Sequence, residues 1–132
     1  MRNYEVEIWM AFAETFGENE QFHQWLLSNG YAELAALSSS IRGSEAAFEW
    51  LMQHRFFDLA ALDGAIDNKK EAALWLLKNG FEVFYHFAAA SNHVKESIQW
   101  LQQQHLEIFI HIASRISIFR ENQTYDYHKQ HF

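Results

Sequence analysis

The sequence predicts an all-α protein, a short α-solenoid of about four to five stacked helix-turn-helix units. Three observations predict it. Four tryptophans recur at an interval of 25 residues, apolar positions within each interval step by three and four, and turn residues return in the same register. The absence of proline among 132 residues leaves few breakers inside helices, and a chain that is 49% hydrophobic lacks the composition of a disordered one.

Residues 1–24 read as an N-terminal cap, in which Trp9, Phe12 and Phe16 stand where the apolar columns of a preceding unit would fall. Residues 25–118 hold the repeats. Aligning Trp25, Trp50, Trp75 and Trp100 brings Leu26, Leu51, Leu76 and Leu101 into the next column. Six residues after each Trp comes Tyr31, Phe56, Phe81 or Leu106, followed by Leu34, Leu59, Phe84 or Phe109 and then by Leu37, Leu62, Phe87 or Ile112. These steps place one apolar stripe on a helix.

Asn29-Gly30 and Asn79-Gly80 follow the Trp-Leu-Leu runs, where glycine suits a left-handed helix C-cap. Gly43, Asn68 and Asn92 precede the acidic starts at Glu45, Glu71 and Glu96, whose carboxylates favour the first turn of a second helix through its dipole. The Trp-Leu column is expected to fill the space between stacked hairpins. Residues 119–132 turn polar and aromatic, with Tyr125, Tyr127, His128 and His131, and form a C-terminal cap or tail of the single domain 1–132.

The stretch His86-Phe87-Ala88-Ala89-Ala90-Ser91-Asn92-His93-Val94-Lys95-Glu96, with Trp100-Leu101 after it, resembles the ankyrin repeat, and Ala65 to Gly80 looks like a second copy. The likeness covers roughly residues 31–118. It departs from that family in its period of 25, where the family uses about 33, and in lacking the Thr-Pro start. The resemblance implies a version without the projecting β-hairpin finger, which would bind through its inner helices alone.

No cysteine is present, so disulfides, thiol nucleophiles and thiolate metal sites are excluded, and a reducing cytoplasm is the expected compartment. The N-terminus carries neither a signal peptide nor a membrane span. No nucleophile elbow, phosphate loop, metalloprotease helix or kinase set occurs, so no catalytic residue is assigned and no enzyme activity is expected. The eight histidines show no ligand spacing for zinc, and no metal or cofactor is expected.

A formal charge of -7 discourages direct binding of nucleic acid. The expected function is a non-catalytic scaffold that binds a peptide or protein on its inner helix face, through Phe57, Glu82, His86, Glu107, His111 and Arg115. These lie off the core stripe of each first helix, in the columns that begin with Ala32 and Ala36. The alternative is a small acidic inhibitor that imitates nucleic acid before a basic DNA-binding protein. An apolar end unit would call for a second copy of the chain.

Overall fold

The computed structural model describes residues 3–130 in their backbone and 3–123 in their side chains. The tail residues Tyr125, Tyr127, His128 and His131 therefore lie outside the described side chains. Among the described residues every regular element is helical: α1 (Val6–Glu14), α2 (Gln21–Ser28), α3 (Ala32–Ile41), α4 (Glu45–Gln53), α5 (Phe57–Ile66), α6 (Lys70–Lys78), α7 (Glu82–Ser91), α8 (Lys95–Gln103) and α9 (Glu107–Gln130).

Each of the short helices α2 to α8 ends where the backbone turns left-handed. Gly30, Arg55, Gly80 and His105 form one column of such positions and Gly43, Asn68 and His93 a second, all with φ between 58° and 108°. The residue after each donates its N–H to a carbonyl in the last turn, Tyr31 to Leu26, Phe56 to Leu51, Phe81 to Leu76 and Leu106 to Leu101, at 2.8–2.9 Å. Ser44, Lys69 and Val94 do the same to Ser39, Gly64 and Ala89 at 2.9–3.1 Å. This long closing bond satisfies an orphan carbonyl and reverses the chain within three residues. In the turn between α7 and α8 the left-handed residue is His93 and Asn92 is the C-cap, whose side chain donates to Ile66 O at 3.0 Å.

Each first helix packs along its second helix and against the next first helix, α3 on α5, α5 on α7 and α7 on α9. The second helices α2, α4, α6 and α8 make no close backbone approach to one another. The ends of this series meet, because α1 packs on α3 and also on α9. Five first helices therefore close into a cycle with the second helices outside it, whereas an open stack would leave one face of α3 and α9 uncovered.

Trp9 of α1, 3% exposed, sets its indole edge-on to Phe84 of α7 and Phe109 of α9, with centroids 6.3 and 5.0 Å away. Phe12, Leu34, Leu37, Leu59, Leu62, Phe84, Phe87 and Ile112 are fully buried around it. Polar groups fix the seams. Tyr4 Oη donates to Glu33 Oε2 at 3.1 Å, Ser38 Oγ to Thr15 Oγ1 at 2.7 Å and Arg42 Nη1 to Thr15 O at 3.0 Å, which hold α1 alongside α3. Arg115 pairs with Glu14 at 3.6 Å on the α9 side, and Arg120 Nη1 donates to Ile66 O at 2.6 Å from the extended part of α9.

The tryptophans do less core filling than expected. Leu26, Leu51, Leu76 and Leu101 are the fully buried column, while Trp25 is 42% exposed and the other three of that column are half-buried. Their indoles lie parallel to the ring that begins the next first helix: Trp25 on Tyr31, Trp50 on Phe56 and Trp75 on Phe81, at 5.7–6.2 Å and 9–12°. Trp25, Trp50 and Trp75 thus cover the turns, and Trp50, Trp75 and Trp100 also pack against the core from its edge.

Between α3 and α5, Ser40 Oγ donates to Asp63 Oδ2 at 2.7 Å. Burial is the main cause that raises the Asp63 carboxyl above its ordinary value of 3.8; the Ser40 bond opposes this and nearby Asp67 adds to it. A raised folded-state value means the native protein holds its proton more tightly than the unfolded chain does, so this group's contribution falls as pH rises through that range. Asp63→Asn keeps the acceptor for Ser40 and removes the buried charge. It is expected to raise the melting temperature at pH 7 by about 2–5 °C and to change it little at pH 3, as a pair of thermal scans would show.

Candidate functional site

The first-helix positions singled out in the sequence point outward from the cycle, toward the layer of second helices. Ala32, Ala35, Ala36 and Ser39 of α3 line a shallow, mostly apolar hollow together with His23 and Leu27 of α2 and with Ala46, Ala47 and Trp50 of α4. Ala61 and His86 occupy the place of Ala36 in α5 and α7. The opposite side of the first helices, which would be the concave face of an open stack, is the buried core around Trp9.

The six candidate residues fall into two groups. Phe57, Glu82 and Glu107 open α5, α7 and α9 and are exposed, Phe57 to 43%, and His111 is exposed one turn into α9. These four are displayed on the side of the second helices. His86 and Arg115 are committed to packing. Arg115 holds α1 to α9 through Glu14, and its guanidinium lies against Gly17, where a Cβ would stand 3.0 Å from it. The structure does not bring Arg115 together with His86.

The His86 imidazole stacks on Trp100 of α8 at 4.1 Å and 20°, with Nδ1 2.8 Å from Ser97 Oγ and Nε2 3.9 Å from Glu82 Oε1. Burial lowers its pKa from the ordinary 6.5, against a smaller upward pull from Glu82. The neutral tautomer with its hydrogen on Nε2 leaves Nδ1 to accept from Ser97. Glu82, His86 and Ser97 have the residue types of an acid-base-nucleophile relay. Yet Ser97 is 3% exposed and the imidazole is covered by an indole, so a substrate carbonyl has no approach to Oγ. The trio joins α7 to α8.

A second, larger cleft of about 1050 Å³ opens where the turn after α1 meets the C-terminal end of α3 and the middle of α9, lined in part by Phe16, Arg42, Arg115 and Phe119. Neither cation is held for a ligand there. Arg42 donates to Thr15 O and sits 5.4 Å above the Phe119 ring, and Arg115 pairs with Glu14. Among the described residues no group of three or more His, Asp or Glu could hold a metal ion, and no described helix is long and apolar enough to cross a membrane.

The apolar hollow was not anticipated from the sequence. Its signal was the set of alanines at 32, 35, 36, 46 and 47, two of them at positions where other units carry Phe57, Glu82 and His86. No protein family, curated protein or solved structure matches the chain.

Proposed function

We propose that this chain is a non-catalytic interaction scaffold, an array of ankyrin-like 25-residue helical hairpins whose first helices close into a cycle, that binds a peptide or protein. The recognition surface is the side carrying Phe57, Glu82, Glu107 and His111, between and beside the second helices. The observation that carries this reading is the closure of the first helices over Trp9, which leaves the second-helix side as the surface where the repeat register displays its variable residues. Among the described residues ten bulky apolar side chains are exposed, and Leu27, Met52 and Leu77 among them share one column of the register.

Affinity capture with the wild type and with a variant carrying Phe57→Ser, Glu107→Lys and His111→Glu tests the proposal. The variant is expected to lose the specifically retained protein at both low and high salt while its melting temperature stays within about 3 °C, since exposed substitutions away from the core change stability little. Equal retention by both proteins would overturn the surface assignment.

A further inference from the structure

The second helices repeat one exposed stripe. In α6 it is Lys70, Leu74 and Leu77, kept on one face by steps of four and three. The same register gives Glu45, Glu49 and Met52 in α4, Lys95, Gln99 and Gln102 in α8, and the cap Glu20 with Gln24 and Leu27 in α2. Every one of these side chains is exposed. The first position changes sign halfway along the chain, from Glu20 and Glu45 to Lys70 and Lys95.

A carboxylate suits that position, because it stands at the start of a helix and meets the positive end of the dipole; a lysine there is unfavourable. Lys70 and Lys95 are therefore placed against the preference of their own helices, and Lys69 caps α6 besides. The ion pairs among the described residues use none of Glu45, Glu49, Lys70, Lys78 or Lys95. Beside these charges Met52, Leu74 and Leu77 are 42%, 55% and 45% exposed.

We infer that a second copy of the chain docks on this layer about a two-fold axis that runs along and between α4 and α6, so that α4 of each copy lies on α6 of the other. The two helices hold equivalent places in successive hairpins and run the same way, so this axis sets equivalent register positions opposite one another. Glu45 meets Lys70 of the second copy, Met52 meets its Leu77, and Glu49 meets its Leu74 with Lys78 one turn beyond. Each contact occurs twice.

Charge names a second copy as the occupant. Helices α2 and α4 with their caps carry three glutamates and no lysine or arginine, whereas Lys69 to Lys78 holds three lysines and one glutamate. A chain of net charge -7 repels its copies over a uniformly acidic surface, but this layer offers one sign beside the other and is complementary to itself. In α8, Lys95 stands beside Glu96 and the stripe ends in glutamines, so the contact centres on α4 and α6. The inference does not rest on the scaffold reading, and its test needs only the purified chain.

Sedimentation equilibrium of the full chain at about 100 μM is expected to show a dimer, several-fold weaker in about 500 mM salt than in about 50 mM. Glu45→Lys with Glu49→Lys puts like charges across the contact, as does Lys70→Glu with Lys78→Glu, and each double variant alone is expected to dimerise about tenfold more weakly or worse. Mixed in equal amounts, the two variants regain opposite charges at every pair and are expected to form a heterodimer as tight as the wild-type dimer. All four positions are exposed, so circular dichroism should find both variants folded. The inference is overturned if the wild-type chain stays monomeric, if its dimer ignores charge reversal, or if the mixture associates no more tightly than the separate variants.

Discussion

Trp9→Ala is expected to cost about 3–5 kcal/mol, in the range observed when a large buried aromatic is cut to a methyl group. The reason is positional. Trp9 belongs to a nine-residue helix near the start of the chain, yet its indole touches α7 and α9 as well as Phe12 on its own helix. Removing it opens a cavity where three first helices meet, and nothing nearby is free to fill it, because Phe84, Phe12 and Ile112 are already fully buried. A domain of this size has roughly 5–15 kcal/mol of stability in total. Urea denaturation should therefore show the midpoint falling by about half. If α1 were instead a detachable cover over a self-sufficient bundle, the main unfolding transition would keep its midpoint, and the closed cycle described above would be refuted.

The second large effect has the opposite sign. Arg55, His93 and His105 hold left-handed backbone at φ of 62°, 64° and 58°, in columns where the other units use Gly30, Gly43, Asn68 and Gly80. An L-residue in that conformation is disfavoured by roughly 1–2 kcal/mol relative to the right-handed helix, and glycine carries no such penalty. Part of the gain is lost to the greater freedom glycine gives the unfolded chain. The triple substitution Arg55→Gly, His93→Gly and His105→Gly is expected to add about 2–3 kcal/mol, or roughly 10 °C in melting temperature. Gly30→Ala provides the control. A Cβ there meets nothing within 4 Å, so any loss of stability it causes reports the backbone conformation alone. A neutral triple variant would mean that contacts of the native side chains offset the strain.

The sequence made the helices and their turns legible because both are local. Steps of three and four between apolar residues describe one helix face, and the turn columns needed only glycine and asparagine to mark them. Asn92 falls in the gap between α7 and α8 as its type suggests, and the left-handed position beside it is filled by His93, which no composition rule marks. The tryptophan column misled for a geometric reason. Adjacent helical residues differ by about 100° in direction, so Trp50 and Leu51 cannot both face the core; Leu51 takes it and Trp50 stacks on Phe56 at the turn.

The candidate site was less legible. Phe57, Glu82, Glu107 and His111 lie off the core stripe as their register requires, but the register does not say which side of the first helices is covered. That depends on α1 and α9, which meet from opposite ends of the chain. Glu14 and Arg115 are about a hundred positions apart, and no periodicity relates them. For the same reason Arg115 looked like a partner-binding cation when it is the clasp between first and last helices, and His86 looked displayed when it is packed beneath Trp100's ring face.

The contact between α1 and α9 also constrains how such a chain could change in length. An open array gains or loses a unit at little structural cost, because each unit touches only its neighbours. Here the last helix must arrive beside the first, with Phe119 reaching Phe16 and Arg120 reaching back to Ile66. One more hairpin would carry α9 past α1, and one fewer would leave it short. The gene for this protein is therefore not free to lengthen or shorten by duplicating or deleting a unit, and its variants should differ by substitution within the units rather than by their number.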